Sequence, residues 1–393
     1  MELNTTYGVV KIFAKTIEEE AITQITTLAN SVLGEGAHVR IMPDCHVGAG
    51  CVIGTTMLIT DKVCPNLVGV DIGCGVDLVK TDIDFSNQVQ ELDEIIRTYI
   101  PYGKRHHDKV KTFRNFANLK CWNKLRRDTQ DTATKSLGSL GGGNHFIEAY
   151  SDGYLAVHSG SRNIGWRIAQ YYQLQAEKQA SASIAELKTK AMQSIPEHVR
   201  EVWLKENKAK IPADKDLAYL TGELMQDYLH DMNIMQDFAV ANRKEMLGSI
   251  VSKMNGKILS RITSTHNYID MSDIHRIILR KGAISARSGE ELVIPLNMRD
   301  GLLLCVGKGN PDWNYSSPHG AGRLYSRSKA KQILKMDDYK KAMKGIFSTC
   351  ICAETLDETP FAYKDYTEIV DAIEPTVTIT KRLIPIYNFK ATE

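Results

Sequence analysis

The chain has 393 residues, of which 43% are hydrophobic and 24% are charged, and its formal net charge is +2 at pH 7. This composition is typical of a folded globular protein, and the near-neutral charge gives no overall signal for a polyanionic partner. No apolar run is long enough to span a bilayer and the first residues lack a signal-peptide pattern, so we expect a cytoplasmic protein that does not bind membranes.

The first eighty residues predict strands that end in polar loops. Apolar and β-branched runs favour strands, and apolar positions at helical spacing favour an amphipathic helix. The predicted strands cover residues 7–14, 39–43, 52–60 and 67–79, and the predicted helix covers residues 17–33. Asp44 and His46 lie in one connecting loop, and loops on a rigid scaffold are where functional side chains concentrate.

Residues 68–76 combine a carboxylate and a thiol with three glycines. Glycine is unfavourable in regular structure, so this pattern predicts a loop in which Asp71 and Cys74 are metal ligands. The alternative is a simple turn beside a core thiol, because a free cysteine often packs as a small apolar residue. The eight cysteines follow no zinc-finger or CxxC spacing, so we expect them to be reduced.

Residues 102–127 are rich in lysine, arginine and histidine, which only Asp108 opposes. Phe113, Phe116 and Trp122 lie among them. Cations neutralise phosphates and aromatic rings stack on bases, so the segment predicts binding of single-stranded nucleic acid. The alternative is a solvated helix face.

Glycine-rich and serine-rich segments bring further histidines to strand ends. Three consecutive glycines precede Asn144 and His145, and such glycines let backbone amides approach an anion closely. His158 opens a second such segment at the start of a predicted helix, where an anion site is expected. His266 lies at the edge of a later strand, and His319 lies in a glycine-rich basic loop.

Five histidines therefore lie in loops or at strand ends, at positions 46, 145, 158, 266 and 319. With Asp71 and Cys74 they offer oxygen, nitrogen and sulfur ligands for one or two divalent ions, and one thiolate can bridge two metals. No HExxH helix supports a peptidase.

Several ordered motifs resemble those of the RtcB-type tRNA-splicing RNA ligases, along nearly the whole chain. They lie at residues 42–46, 68–75, 143–148, 158–162, 266–268, 280–283, 319–323 and 362–365. The resemblance implies an α+β fold: one large mixed domain over residues 1–393 with a central metal site. The helical pattern of residues 182–256 predicts a helical insertion in this domain.

The resemblance also implies an activity. Such a protein is a GTP-dependent and manganese-dependent ligase in tRNA splicing or RNA repair. It joins RNA ending in a 2′,3′-cyclic phosphate or 3′-phosphate to RNA with a 5′-hydroxyl end. His319 is the implied catalytic nucleophile, which takes GMP from GTP and passes it to the RNA 3′-phosphate. Arg162 and the basic segment are expected to guide the RNA backbone.

The resemblance assigns roles to individual residues. Two manganese ions per chain are expected, one on Asp71, Cys74 and His145 and the other on Cys74, His158 and His266. The nucleotide is expected at Asn144, His145, Phe146, Ile147, Glu148, Pro295, Leu296, Asn297, Met298, His319, Gly320, Ala321, Gly322 and Lys390. Asn267 also matches a nucleotide-contacting position.

One segment departs from the family pattern. Residues 295–299 read Pro-Leu-Asn-Met-Arg where the family commonly has Pro-Gly-Ser-Met-Gly, and Leu302 replaces an expected serine. Arg299 and Asp300 could pair with base or phosphate instead. The departure keeps open an alternative, a metal-dependent RNA-end phosphatase or cyclic phosphodiesterase without ligation. A third interpretation is an RNA-binding scaffold, and the sequence does not indicate the oligomeric state.

Overall fold

The computed structural model describes residues 1–208, 211 and 214–391. Helices and mostly antiparallel sheets alternate along these residues, which confirms the predicted mixed α+β class. The predicted domain includes residues 209, 210, 212, 213, 392 and 393, which lie outside the described part. The first four of them also belong to the predicted helical insertion. No helix of the described residues is both long and apolar enough to cross a membrane.

The strands are, in chain order, β1 (Glu2–Thr5), β2 (Gly8–Ile12), β3 (Arg40–His46), β4 (Ile53–Leu58), β5 (Gly75–Thr81), β6 (Phe146–Tyr150), β7 (Tyr154–Ser159), β8 (Ile258–Thr265), β9 (Asn267–Asp270), β10 (Ile278–Lys281), β11 (Ala283–Ser285), β12 (Glu291–Asn297), β13 (Gly301–Gly307), β14 (Ser316–Pro318), β15 (Val377–Leu383) and β16 (Pro385–Lys390). The helices are α1 (Glu19–Asn30), α2 (Val89–Tyr99), α3 (Arg127–Ala133), α4 (Arg162–Ser194), α5 (Glu197–Lys208), α6 (Gly222–Lys253), α7 (Arg327–Ile333), α8 (Met336–Ala342) and α9 (Tyr366–Ile373).

Two larger sheets form the frame of the molecule. One has six strands in the order β1-β2-β3-β4-β10-β9, and the other has five in the order β16-β6-β7-β5-β8. Smaller sheets pair β12, β13 and β15, and β11 with β14. The early strand predictions agree with β2, β3 and β4. The predicted strand over residues 67–79 is wrong in its first half, because Pro65–Leu67 forms a 3-10 turn and the strand begins only at Gly75.

Helix α6 packs against β5 and β7 of the five-stranded sheet. Phe238 and Met246 of this helix are fully buried, as is Arg243. Arg243 pairs with the buried Asp77 of β5 at 3.0 Å. By contrast, α5 has no buried residue and most of the second half of α4 is accessible. Residues 182–256 are therefore largely helical and α6 belongs to the core, whereas their status as an insertion stays a prediction.

Candidate active site

The register of the five-stranded sheet brings the predicted metal ligands to one end. β5 lies between β7 and β8, and Gly75 at its start faces Ser159 and Thr265. On the other side of β7, His158 faces Phe146 of β6. The residues next to them in sequence therefore meet at the same end of the sheet. These residues are Cys74, His145 and His266.

The first group of potential ligands consists of Asp71, Cys74 and His145, whose ligand atoms all lie within 4.8 Å of one another. His145 Nε2 lies 3.1 Å from Asp71 Oδ2 and 3.5 Å from Cys74 Sγ. His145 Nδ1 lies 2.8 Å from the Leu140 carbonyl, which can only accept, so Nδ1 carries a proton. Nε2 then faces the Asp71 carboxylate, and either a proton or a metal cation between the two atoms makes this contact favourable.

The second group consists of Cys74, His158 and His266, and it shares the Cys74 thiol with the first. His158 Nε2 lies 3.3 Å from Cys74 Sγ and 3.4 Å from His266 Nε2. His158 Nδ1 donates to the Asn144 carbonyl at 3.2 Å, so Nε2 again points a lone pair into the group. All three residues are buried. These donor spacings are those expected around ions bound at about 2.0–2.3 Å.

Burial decides the protonation of the ligand atoms. It lowers the pKa values of His158 and His266 well below the ordinary value, with neighbouring histidines adding to the effect, so both rings are neutral. Burial and Asp71 raise the pKa of the Cys74 thiol. Burial also acts to raise the pKa of Asp71, but His145 outweighs it and the value falls to about 2. Neutral imidazoles and an ionised carboxylate suit a divalent ion, and the thiol must lose its proton when the ion binds.

Gly160 has no side chain, and this leaves room for the Asp71 carboxylate. A Cβ atom on Gly160 would lie 2.2 Å from Asp71 Oδ1, far inside van der Waals contact. The Ser161 backbone N–H donates to this same oxygen at 3.0 Å. Asn267, expected at the nucleotide, instead donates to the Asp71 carbonyl at 3.2 Å and so supports the loop.

A pocket beside the second group contains most of the residues expected at the nucleotide. These residues are Asn144, Phe146, Glu148, Pro295, Leu296, Asn297, Met298, His319, Gly320, Ala321, Gly322 and Lys390. His145 lines a different cleft, and Ile147 is fully buried in the core behind β6. Successive side chains of a strand point to opposite faces, so Phe146 and Glu148 face the pocket and Ile147 cannot.

His319 lies in this pocket beside the second ligand group. Its ring centroid is 4.7 Å from that of His266. His319 Nδ1 lies 2.7 Å from Oδ2 of the fully buried Asp44, which also accepts from the backbone N–H groups of His319 and Gly320. The ring is not aligned for a good hydrogen bond to Asp44. A small ring rotation would let Nδ1–H donate to Asp44 and leave Nε2 free.

His46 also lines the pocket but belongs to neither ligand group. Burial, followed by the nearby His319, lowers the pKa of His46 to about 4. His46 is therefore neutral at physiological pH.

A family model described as tRNA-splicing ligase RtcB matches residues 24–124 and 115–391. The chain belongs to the RtcB family. The RNA-splicing ligase RtcB of Escherichia coli strain K12 is 30% identical over 383 residues, which cover 87% of each chain. The tRNA-splicing ligase RtcB of Methanococcus maripaludis is 26% identical over 455 residues, which cover 92% of this chain and 89% of the relative.

The floor of the pocket in this RtcB-family chain is built around Glu148. Its carboxylate accepts from Tyr150 Oη and from Asn388 Nδ2, each at 2.6 Å. Burial raises the pKa of Glu148 to about 7 despite these donors. The side chain therefore changes charge near neutrality, and its oxygens keep lone pairs for a further donor.

Glu358 links three cations that line the pocket, one of which belongs to the C-terminal strand β16. The sequence analysis did not identify this residue. Its Oε2 accepts from Lys390 Nζ at 2.8 Å, and its Oε1 accepts from Arg327 at 2.6 Å and from Arg323 at 3.3 Å. Lys390 also donates to the Asn144 carbonyl at 3.2 Å. Arg323 lies in a family motif, but no local sequence signal marks Glu358 as its partner.

The segment that departs from the family pattern keeps its place in the pocket wall. Asn297 and Met298 line the pocket, whereas Leu302 is buried in the core. Arg299 Nη2 pairs with Asp300 Oδ2 at 3.0 Å. Asp300 also pairs with Arg382 at 3.3 Å. Because these two charges satisfy each other, the structure gives no support to their suggested pairing with base or phosphate.

A second cleft opens on the first ligand group. It is lined by Asp71 and His145, and by Arg162 at the start of α4. Arg162 has a positive φ of 61° and donates to Ser139 Oγ at 3.0 Å and to the Gly103 carbonyl at 3.1 Å. Arg162 therefore lies next to the basic segment, and its expected contact with the RNA backbone stays a prediction.

The aromatic residues of the basic segment do not face this cleft. Phe116 is buried and stacks on Trp122 with ring centroids 5.3 Å apart, and Phe113 and Phe238 complete the cluster. Phe116 is therefore part of the core, and the expectation that it stacks on bases is wrong, whereas Phe113 and Trp122 are half-buried and pack against it. Lys104 and Arg105 of the segment are exposed and remain available to phosphates.

Proposed function

We propose that the protein is a GTP-dependent and manganese-dependent RNA ligase that acts in tRNA splicing or RNA repair. It would join RNA ending in a 2′,3′-cyclic phosphate or a 3′-phosphate to RNA with a 5′-hydroxyl end, through GMP bound to His319. The observation that carries this proposal is the position of His319 beside two ligand groups that share the Cys74 thiol. Membership of the RtcB family supports it.

The two ligand groups fit a pair of divalent cations. Their donor sets mix carboxylate, imidazole and thiolate, and a divalent ion can replace the proton between His145 Nε2 and Asp71 Oδ2. We assign one manganese ion to Asp71, Cys74 and His145 and the other to Cys74, His158 and His266. When bound, such ions polarise phosphoryl oxygens and neutralise the charge that develops during transfer.

His319 is the proposed nucleophile. After a small ring rotation Nδ1–H would donate to Asp44 Oδ2, 2.7 Å away, and the Nε2 lone pair could then attack. Attack on the α-phosphorus of GTP forms a bond from nitrogen to phosphorus and expels pyrophosphate. The GMP then passes to the RNA 3′-phosphate and frees the ring, and the 5′-hydroxyl oxygen displaces GMP from that phosphate. A cyclic phosphate must first be hydrolysed to a 3′-phosphate.

The pocket wall supplies the proposed contacts to GTP. Glu148 has free lone pairs that can accept from N–H groups of a guanine edge. Lys390 lies in the same pocket and can donate to a charged or carbonyl oxygen of the nucleotide. The backbone at Gly320 and Gly322 has no side chain to prevent a close approach of phosphate. A carboxylate that accepts from the base favours guanine over adenine, because adenine offers no matching pair of donors.

The proposal is tested by incubating the protein with manganese and GTP labelled at the α-phosphorus. Wild type is expected to retain the label covalently, and His319→Ala is expected to lose it. His275→Ala is the matched control, because His275 is exposed and lies outside the pocket. Labelling of His319→Ala at the wild-type level would refute the nucleophile assignment.

The same protein preparations distinguish the ligase from the alternative activity, which is hydrolysis of RNA ends without ligation. A hydrolase would convert a 2′,3′-cyclic phosphate end without GTP and would form no covalent guanylate. The residues at 295–298 that motivated this alternative still line the pocket. We therefore favour the ligase, and ATP in place of GTP tests the base preference directly.

A further inference from the structure

The second cleft has no role in the chemistry of His319. It opens on the first ligand group through Asp71 and His145, whereas the nucleotide pocket opens on the second group through His158 and His266. Cys74 belongs to both groups. The two cavities therefore reach the same centre from different sides.

The order of the proposed reaction gives the second cleft an occupant. In the last step the 5′-hydroxyl oxygen attacks the activated phosphate while GMP leaves. The attacking and leaving oxygens of such a displacement lie roughly in line on opposite sides of phosphorus. GMP departs on the side of the nucleotide pocket, so the attacking strand arrives from the side of the second cleft. This inference rests on the proposed function.

The charge of the second cleft suits a nucleic acid strand. Lys104, Arg105 and Arg162 line it, and Asp71 is the one acidic residue among the described lining residues. Asp71 is itself assigned to the metal centre. Lysine and arginine neutralise phosphates and so bind the backbone of a strand without regard to its sequence.

Trp166 gives the second cleft an aromatic surface. It lies one turn after Arg162 on α4, is half-buried, and lines the cleft together with the exposed Val70. The Arg167 guanidinium lies 4.6 Å from the centroid of the Trp166 ring, a cation–π contact that restrains the ring. An aromatic ring beside cations is the arrangement that binds single-stranded nucleic acid, because every base has a face that can stack.

We propose that the second cleft binds the RNA strand that carries the 5′-hydroxyl end, and that Trp166 stacks on a base of this strand close to that end. Stacking on the ring adds affinity and fixes the position of the strand along the cleft, while Arg162 and Lys104 bind the phosphates. Trp166 thus takes the role that the sequence analysis gave to Phe116, which the fold buries, and to Trp122, which stacks on Phe116.

Binding of a fluorescently labelled 5′-hydroxyl RNA oligonucleotide tests the proposal without any need for catalysis. Trp166→Ala is expected to weaken binding roughly 5-fold to 160-fold, the range found when base stacking is removed, and Trp166→Phe is expected to retain most of the affinity. Trp203→Ala is the matched control, since Trp203 on α5 is also half-buried with a cation, Lys190, over its ring. Unchanged binding by Trp166→Ala, or equal weakening by Trp203→Ala, would overturn the proposal.

A second experiment pairs the variant with a changed RNA. An oligonucleotide whose first or second nucleotide lacks its base should bind wild type more weakly, but should bind Trp166→Ala no more weakly than the intact strand does. Equal losses in both proteins would show that the base and the ring do not meet and would sink the proposal. Covalent labelling of His319 by GTP, measured on the same preparations, reports on the proposed function separately, because it requires no RNA.

Discussion

At the scale of single residues, Gly160 determines whether the Asp71 carboxylate can point toward His145. The residue lies between Ser159, at the end of β7, and Ser161, whose backbone N–H holds Asp71 Oδ1. A methyl group at this position would overlap both carboxylate oxygens, at 2.2 and 2.3 Å. The carboxylate would have to leave the ligand group to relieve the overlap.

We therefore expect Gly160→Ala to weaken manganese binding about 10-fold to 100-fold, the loss typical when a ligand is misplaced. Isothermal titration of the metal into the apoprotein measures the change. Gly248→Ala is the matched control, because Gly248 lies in α6 with open space around its Cβ position. The control should bind metal normally and should gain about 0.5–1 kcal/mol of stability from its higher helix propensity. Normal metal binding by Gly160→Ala would contradict the assignment of Asp71.

At the scale of elements, Glu358 connects a 3-10 turn (Ala353–Glu358) to α7 and to β16. Burial acts to raise the pKa of the Glu358 carboxyl, but Lys390, Arg327 and Arg323 outweigh it and hold the pKa at about 2, below the ordinary 4.5. A carboxyl whose pKa is lower in the folded state stabilises the fold fully above pH 4.5. Its contribution disappears as the pH falls from 4.5 toward 2.

Glu358→Gln should therefore lower the free energy of unfolding by about 3 kcal/mol at pH 7, since it leaves three cations without their shared partner. The difference between variant and wild type should shrink as the pH falls below 4.5, because wild type then loses the same charge. Urea unfolding between pH 3 and pH 7 measures both. The exposed Glu354, changed to glutamine, should alter stability by less than about 0.5 kcal/mol. A difference that does not depend on pH would mean that charge is not the cause.

At the scale of the whole molecule, the proposed metal centre joins segments from distant parts of the chain. Its ligands precede β5, precede β6, lie in β7 and follow β8. An unfolded chain does not hold these groups together, so a bound ion stabilises the folded state by mass action, by about 2.7 kcal/mol at 100 times the dissociation constant.

We expect the melting temperature of wild type to rise with manganese concentration and that of Cys74→Ser to change little, because Cys74 is shared by both ligand groups. Differential scanning fluorimetry across a manganese series measures this response. Cys352→Ser should respond as wild type does, since Cys352 lies outside both groups. A full response in Cys74→Ser would argue against a shared thiolate.

The sequence indicates the five candidate histidines because each lies beside glycine, serine or asparagine, and the family resemblance predicts which three of them meet Asp71 and Cys74. The sequence predicts contacts between distant segments poorly. His319 and Asp44 are separated by 275 residues, and no local pattern indicates that they pair. The aromatic residues of the basic segment were misassigned for a related reason, since charge density along the chain does not show which way Phe116 points. Trp166 was overlooked because it lies alone in an otherwise ordinary helix.

The late position of β16 has a consequence for biosynthesis. Lys390 reaches the Asn144 carbonyl across 246 residues of sequence, and β16 pairs along β6 to bring it there. Until β16 has been synthesised, the pocket of the growing chain therefore lacks one wall and Lys390. If the proposed function is right, a nascent chain should not react with GTP until this strand has emerged and docked.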